Sequence, residues 1–384
     1  MKNRSAAVRQ ARLVLEDGSE YSGYNFGKAR SQAGEVVFTT AMTGYAQILS
    51  NPGCRGHILV FSYPLIGNCG VPVKPGSCEA LLDDYGLPRD LESSAVQVSG
   101  VVVFETCNEP SHYSSQTPLS AWLEKNNIPG IYGIDTRSLT QRIRENGTMR
   151  GKILVEGCRD VTMDSGIAAN PAADVSVSEP KTYLPAGISS QAGETADALK
   201  IAVIDCGAKA GLFRGLLGRK AEVIRLPWNS DLKDLEFDGL ILSTGPGDPK
   251  ACGKTIATVR RIFELGKPVF GLGLGCQIMA LAAGGDTYKK QHSHRSLNHP
   301  CIEAGTSRCY ITSQYHGYAV KADSLNRNWE PWFINANDNS IEGIRSTQGP
   351  FQALQFDPLG CPGPADTEFL LDKFLDQVRG ARRK

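Results

Sequence analysis

The sequence predicts a two-domain α/β protein, with a mixed, strand-rich first domain followed by a doubly wound parallel sheet. Three observations carry that expectation. Buried apolar runs in the second half, Ile201-Ala202-Val203-Ile204, Leu240-Ile241-Leu242 and Val269-Phe270-Gly271, each end in a glycine-rich turn and precede a helix-like segment, as parallel β-α units do. Short strand-like runs separated by turn signals open the first half. Between them, residues 158–199 dissolve into small and polar residues with Pro171, Pro180 and Pro185.

In the first domain, 10–157, Leu13-Val14-Leu15 ends at the turn signal Glu16-Asp17-Gly18, and strands follow at Tyr21 to Phe26 and Val36-Val37-Phe38. Helical spacing predicts helices at Leu119 to Lys125 and Thr136 to Glu145, the latter stopped by Asn146-Gly147. The segment 158–199 reads as a linker and 200–384 as the second domain. Ligands of a doubly wound sheet sit beyond the carboxyl ends of its strands, where Gly207, Ser243 to Asp248 and Gly271 to Gln277 fall.

Composition narrows the partners. With 384 residues and 41 Lys+Arg against 40 Asp+Glu, there is no charge excess to attract nucleic acid or an anionic membrane. No apolar run approaches the roughly 20 residues of a membrane span. A soluble, cytoplasmic protein is expected, with mitochondrial targeting as the alternative because Lys2, Arg4, Arg9 and Arg12 precede the first acid, Glu16. The eleven cysteines are odd in number and contain no C-x-x-C pair, so neither a disulfide framework nor a zinc site is expected. His292, His294 and His299 lack an acid or cysteine at ligand spacing and read as a surface loop. The run Gly271 to Gly275 lacks the spacing of a dinucleotide fingerprint, so no cofactor is expected.

Several motifs resemble one family. Gly34-Glu35-Val36-Val37-Phe38, Thr43-Gly44-Tyr45, Tyr63 to Asn68 and Ile134 to Arg137 in the first domain, with Asp205-Cys206-Gly207, Ser243 to Pro249 and Gln314 to Tyr318 in the second, resemble the small subunit of carbamoyl phosphate synthetase. The second domain alone is similar to class I glutamine amidotransferases. Pro227-Trp228-Asn229 and Asn335 to Asp338 are closer to the glutaminase segments of the fused eukaryotic synthetases that begin pyrimidine synthesis; an arginine-supplying role stays open. The ATP-binding synthetase portion of the family has no counterpart in this sequence.

The resemblance implies a cysteine nucleophile in G-x-C-x-G-H-Q and a base with its orienting acid in H-P-E. At those positions stand Gly273, Asp357 and Leu359. Cys276 falls at the family's histidine after the elbow, and an elbow centred on it would put Leu274 and Ile278 where small residues are required. It reads as a packing residue. Asp357 reads as a solvated turn or N-cap residue.

By the same resemblance, a serine that contacts glutamine is Gly53 and the asparagine before His-Gly-Phe is Tyr315, whose ring would fill the emptied pocket. Gly245, Gly247, Leu274, Gln277, Gly317 and Tyr318 occupy the remaining glutamine-site positions. Weak or absent glutamine binding is expected. The leading expectation is an inactive glutaminase-like subunit that partners an ammonia-using synthetase large portion; a scaffold for an unrelated assembly and a working glutaminase with relocated residues are the alternatives.

Overall fold

The computed structural model describes residues 9–74, 77, 79–166, 168–186 and 198–383. The chain divides into two compact units, one of Met1–Leu81 with Pro88–Ala168 and the other of Leu82–Leu87 with Ala169–Lys384. Of the basic residues weighed as a targeting signal, Lys2 and Arg4 lie outside the described residues.

The first unit is a closed barrel. Around it run, in order, Gln10–Leu15, Glu20–Gly27, Pro129–Tyr132, Gly100–Val102, His57–Phe61, Gln32–Thr39 and Met149–Val155, the last pairing back with the first. Alternation explains the closure: in Gln10–Leu15 the even steps Ala11, Leu13 and Leu15 face inward, where they meet Val36, Ile58, Val60, Val102 and Ile153. The helix Thr136–Asn146 starts where the Asp135 carboxylate accepts from the Ser138 N–H at 2.9 Å, and it ends at Gly147, whose φ is +84°. Its buried Leu139 and Ile143, one turn apart, press on the same core. A helix also fills Leu119–Lys125, as its spacing predicts.

The second unit is built on a ten-stranded sheet. Glu222–Pro227, Lys200–Asp205, Gly239–Leu242, Val269–Leu272 and Phe351–Leu354 form its parallel part. Ile341–Ser346, Trp329–Asn335, Thr287–Glu303 and Cys309–Val320 extend it as an antiparallel arm. Two apolar clusters cover the faces, one around Phe213, Phe270, Phe333 and Phe374, the other around Leu240, Leu242, Ile278 and Met279. Every residue of the helix Leu274–Ala282 is buried. At about 1.5–3 kcal/mol for each large apolar side chain removed from water, that helix is among the firmest parts of the fold.

The linker expectation for 158–199 needs correction. From Ala169 onward the chain belongs to the second unit, contributing the helix Pro171–Val175 and the strand Lys181–Tyr183, which pairs antiparallel with Glu222–Pro227 at the sheet edge. Elements of five and three residues are too short to show a period, so composition alone suggested a loop. Residues 187–197 of that stretch lie outside the described residues. Leu87, inside the expected first domain, also packs into the second unit's core.

Candidate functional site

At the end of the strand Val269–Leu272 the chain turns sharply into the helix Leu274–Ala282, and Gly273 is the turning residue, with φ +53° and ψ −110°. The turn is fixed by backbone: the Gly273 N–H donates to the Leu354 carbonyl at 2.8 Å and the Gly275 N–H to the Ser243 carbonyl at 3.1 Å. Its flanks must be bare. A Cβ on Gly275 would stand 2.3 Å from the Leu242 carbonyl oxygen, and one on Gly271 would stand 2.7 Å from the Gly275 carbonyl oxygen. Gly273 is different, since a Cβ there would meet only the Thr244 side chain, at 3.1 Å. The turn therefore needs glycine at 271 and 275 because of backbone contacts, whereas at 273 the backbone angles favour it and a Cβ would press only against the yielding Thr244 side chain among its nearest neighbours.

The neighbouring turns close in by the same means. A Cβ on Gly245 would lie 2.1 Å from the Cys206 carbonyl oxygen and 2.9 Å from Leu274 Cδ2, and Gly247, at φ +91°, leaves room for Pro171. Asp205, fully buried, accepts from the Gly207 and Ala208 N–H groups at 2.9 and 2.7 Å and pairs with Arg225 at 2.7 Å, which holds the first turn of the sheet. Gln277, 2% exposed, ties the elbow helix to the antiparallel arm: its Nε2 donates to the Tyr318 carbonyl at 2.9 Å and to Gln355 Oε1 at 3.2 Å.

The other two family positions behave differently from a base and its acid. Asp357 accepts from the Leu359 N–H at 3.0 Å and forms an ion pair with Lys209, itself 6% exposed. The expectation of a solvated carboxylate is thus corrected: Asp357 does close a turn, but its charge is met by a buried ammonium contributed from the start of the helix Ala210–Gly218. Leu359 is 7% exposed, belongs to the core and lies over the same helix at Gly215. Cys276 is fully buried, and burial, with a smaller contribution from Glu342, pushes its thiol well above the usual range.

Tyr315 holds the Arg295 guanidinium 5.3 Å above its ring, and the space beside Gly317 is taken by the same guanidinium. Arg295, across the strand pair from Tyr315, was not singled out in the sequence. In the first unit, Gly53 lies in the short turn Pro52–Cys54, where its N–H donates to Asn51 Oδ1 at 2.9 Å.

The histidines expected on a surface loop lie instead on the strand Thr287–Glu303. His292 is exposed, but His294 is 5% exposed and stacks on the partly buried His299 at 4.5 Å between ring centres. Their partners arrive from distant strands. His294 Nδ1 is 2.9 Å from Glu342 Oε1 and Nε2 is 3.0 Å from Asp338 Oδ2. Burial raises Glu342, but the imidazoles of His294 and His316 beside it outweigh that and hold its carboxyl at about 2. Burial likewise pushes His299 down to about 4. Acids 44 and 48 residues downstream do not register as ligand spacing in a sequence.

A doubly wound sheet with a glycine-flanked elbow and a separate barrel defines the class: a class I glutamine amidotransferase fold joined to a second domain. Family models agree, matching "Carbamoyl-phosphate synthase small chain, CPSase domain" over residues 13–153 and "Glutamine amidotransferase class-I" over 202–377. The chain belongs to the carbamoyl-phosphate synthase small-chain family. It is 38% identical to the carbamoyl phosphate synthase arginine-specific small chain of Debaryomyces hansenii, over 99% of this chain and 88% of that one. It is 42% identical to the multifunctional protein pyr1-3 of Dictyostelium discoideum, over 97% of this chain but only 17% of that protein. It is 39% identical to the human mitochondrial carbamoyl-phosphate synthase [ammonia], over 98% of this chain and 24% of that protein. The chain therefore spans about a sixth to a quarter of these two longer relatives. Among the described residues, no helix is long and apolar enough to cross a membrane.

Proposed function

We propose that this chain is a catalytically silent small subunit that serves an ammonia-using carbamoyl phosphate synthetase portion as a structural or regulatory partner. The observation that carries the reading is the bare elbow: Gly273 offers no atom to attack an amide carbon. The Asp357–Lys209 ion pair supports it, because an ammonium held against the carboxylate stabilises its charged form and makes it a poorer base than a histidine. Cys276, with its thiol buried and strongly disfavoured as a thiolate, does not replace the missing nucleophile. A relative whose name specifies ammonia shares this chain's length almost completely. Loss of a nucleophile or base in a hydrolytic triad costs up to about a millionfold in turnover, and the losses do not add.

The experiment has two arms. Purified chain incubated with glutamine should release glutamate no faster than buffer. With the large portion of a synthetase from the same organism, it should co-purify and change the ammonia-dependent rate of carbamoyl phosphate formation while giving none from glutamine. Glutamate release at an enzymatic rate would end the proposal of silence, and failure to associate would end the proposal of partnership. Whether the product supplies pyrimidine or arginine synthesis follows from the synthetase captured.

A further inference from the structure

The antiparallel arm contains a group of side chains that none of the preceding chemistry uses. Four polar atoms lie close together: His294 Nδ1, His316 Nε2, Gln314 Oε1 and the Glu342 carboxylate. His294 Nδ1 is 2.8 Å from Gln314 Oε1 and 2.9 Å from Glu342 Oε1. His316 Nε2 is 3.1 Å from Gln314 Oε1 and 3.6 Å from Glu342 Oε2. The two imidazole nitrogens and the carboxylate oxygen all lie within 4.8 Å of one another. Tetrahedral coordination at about 2.0–2.1 Å requires donor separations near 3.3 Å. The four contacts given run from 2.8 to 3.6 Å, two of them to different oxygens of Glu342, and the two imidazole nitrogens stay within 4.8 Å, so binding an ion would draw the imidazoles together.

The orientation of each group is set from outside. His316 Nδ1 faces the Tyr318 carbonyl at 2.8 Å and His294 Nε2 faces the Asp338 carboxylate at 3.0 Å, so each ring turns its other nitrogen inward. A carbonyl or carboxylate behind the imidazole is the arrangement that orients metal-binding histidines and fixes their tautomer. Gln314 cannot present its amide nitrogen to the centre, because Nε2 donates outward to Thr312 Oγ1 at 3.1 Å and to Cys301 Sγ at 3.2 Å. Glu342 has no exposed surface, and its Oε2 is buried without a hydrogen-bond partner while pointing at His316. Asn335 Nδ2, 3.2 Å from Glu342 Oε1 and 3.4 Å from His294 Nδ1, and Ser340 Oγ, 3.3 Å from Glu342 Oε1, donate at the rim of the group, but neither meets Glu342 Oε2, and a buried carboxylate oxygen left unmatched is a cost that a cation would remove.

From this geometry we infer that His294, His316, Glu342 and Gln314 form a structural binding site for one divalent transition-metal ion, zinc being the cation best suited to two imidazoles and two oxygens. Such an ion clamps Thr287–Glu303, Cys309–Val320 and Ile341–Ser346 together in the arm, with His316 between the family's glutamine-site positions Tyr315 and Gly317. The site is closed by protein ligands, as structural rather than catalytic zinc sites are.

The test uses the full chain, stripped with a chelator, dialysed, and titrated with Zn2+ alone while bound metal and thermal unfolding are followed. One ion per chain and a raised Tm are expected. His316→Gln and Glu342→Gln should lower the affinity by more than the roughly 10–100-fold that outer-shell changes cost, and Asp338→Asn by an amount within that range. His292→Gln, on the exposed face of the same strand, should leave binding unchanged. Where the core variants fail to fold, Co2+ in the wild-type chain gives a second readout: the intense visible d–d bands of tetrahedral Co2+, without a near-ultraviolet thiolate band, are expected. No stoichiometric metal on the folded chain overturns the inference. So does binding unaffected by both ligand variants, or a cobalt spectrum showing thiolate ligation.

Discussion

The ammonium of Lys209 donates to the carboxylate of Asp357, so the position where the family resemblance places a proton-shuttling histidine holds one half of an ion pair. Both members are largely shielded from water, and removing one leaves the other charged and without its partner. Lys209→Met should therefore destabilise the second unit by on the order of 3 kcal/mol, read as a lower midpoint in urea. Combining it with Asp357→Leu should restore more than half of that loss. A single variant with unchanged stability would show that the pair contributes nothing.

Restoring the sulfur alone should not restore chemistry. Gly273→Cys places a side chain at φ +53° and 3.1 Å from the Thr244 methyl, a strain of about 1–3 kcal/mol, so its Tm should fall and Thr244→Ser should recover part of the drop. Glutamate release should stay at background in Gly273→Cys, because Asp357 and Leu359 supply neither base nor orienting acid. Only the triple variant with Asp357→His and Leu359→Glu tests the scaffold's capacity for hydrolysis. Activity in the single variant would mean that another residue serves as base.

Cys276 should be chemically inert. Its thiol is fully buried and disfavoured as a thiolate, whereas Cys309 is exposed. Brief alkylation of the folded chain at neutral pH, followed by peptide mass spectrometry, should label Cys309 and leave Cys276 untouched. Cys276→Ser should change no measured glutamate release.

Glycine substitutions should separate steric need from mere presence. Gly275→Ala drives a methyl to 2.3 Å from the Leu242 carbonyl and should cost about 3 kcal/mol or prevent folding. Gly218→Ala, at the end of the helix Ala210–Gly218 with open space around it, should be neutral or stabilise by up to about 1 kcal/mol. Equal effects in thermal melts would contradict the backbone account of the elbow.

What the sequence disclosed follows from how local each signal is. The strands at Leu13 and Ile201 and the helix at Thr136 announce themselves within a few residues, by alternation or by spacing with a glycine stop. The bare elbow was equally legible, because its flanking glycines stand two residues from Gly273. The Lys209–Asp357 pair was not, since its halves are 148 residues apart. The histidine group was misplaced for the same reason: nothing near His294 indicates that Asp338 and Glu342 will be folded against it. Short elements such as Lys181–Tyr183 escaped because pairing with a neighbour, rather than their own composition, makes them strands.

The 3.1 Å approach of Thr244 to the bare position has a historical consequence. On the proposal of silence, the Thr244 methyl would crowd any side chain placed at Gly273, and the Asp357–Lys209 ion pair stands at the position of the family's histidine. Each such occupant makes the next reversion worse on its own, so the route back to hydrolysis demands several simultaneous changes. On that reading, packing and charge pairing would resist the return of hydrolysis.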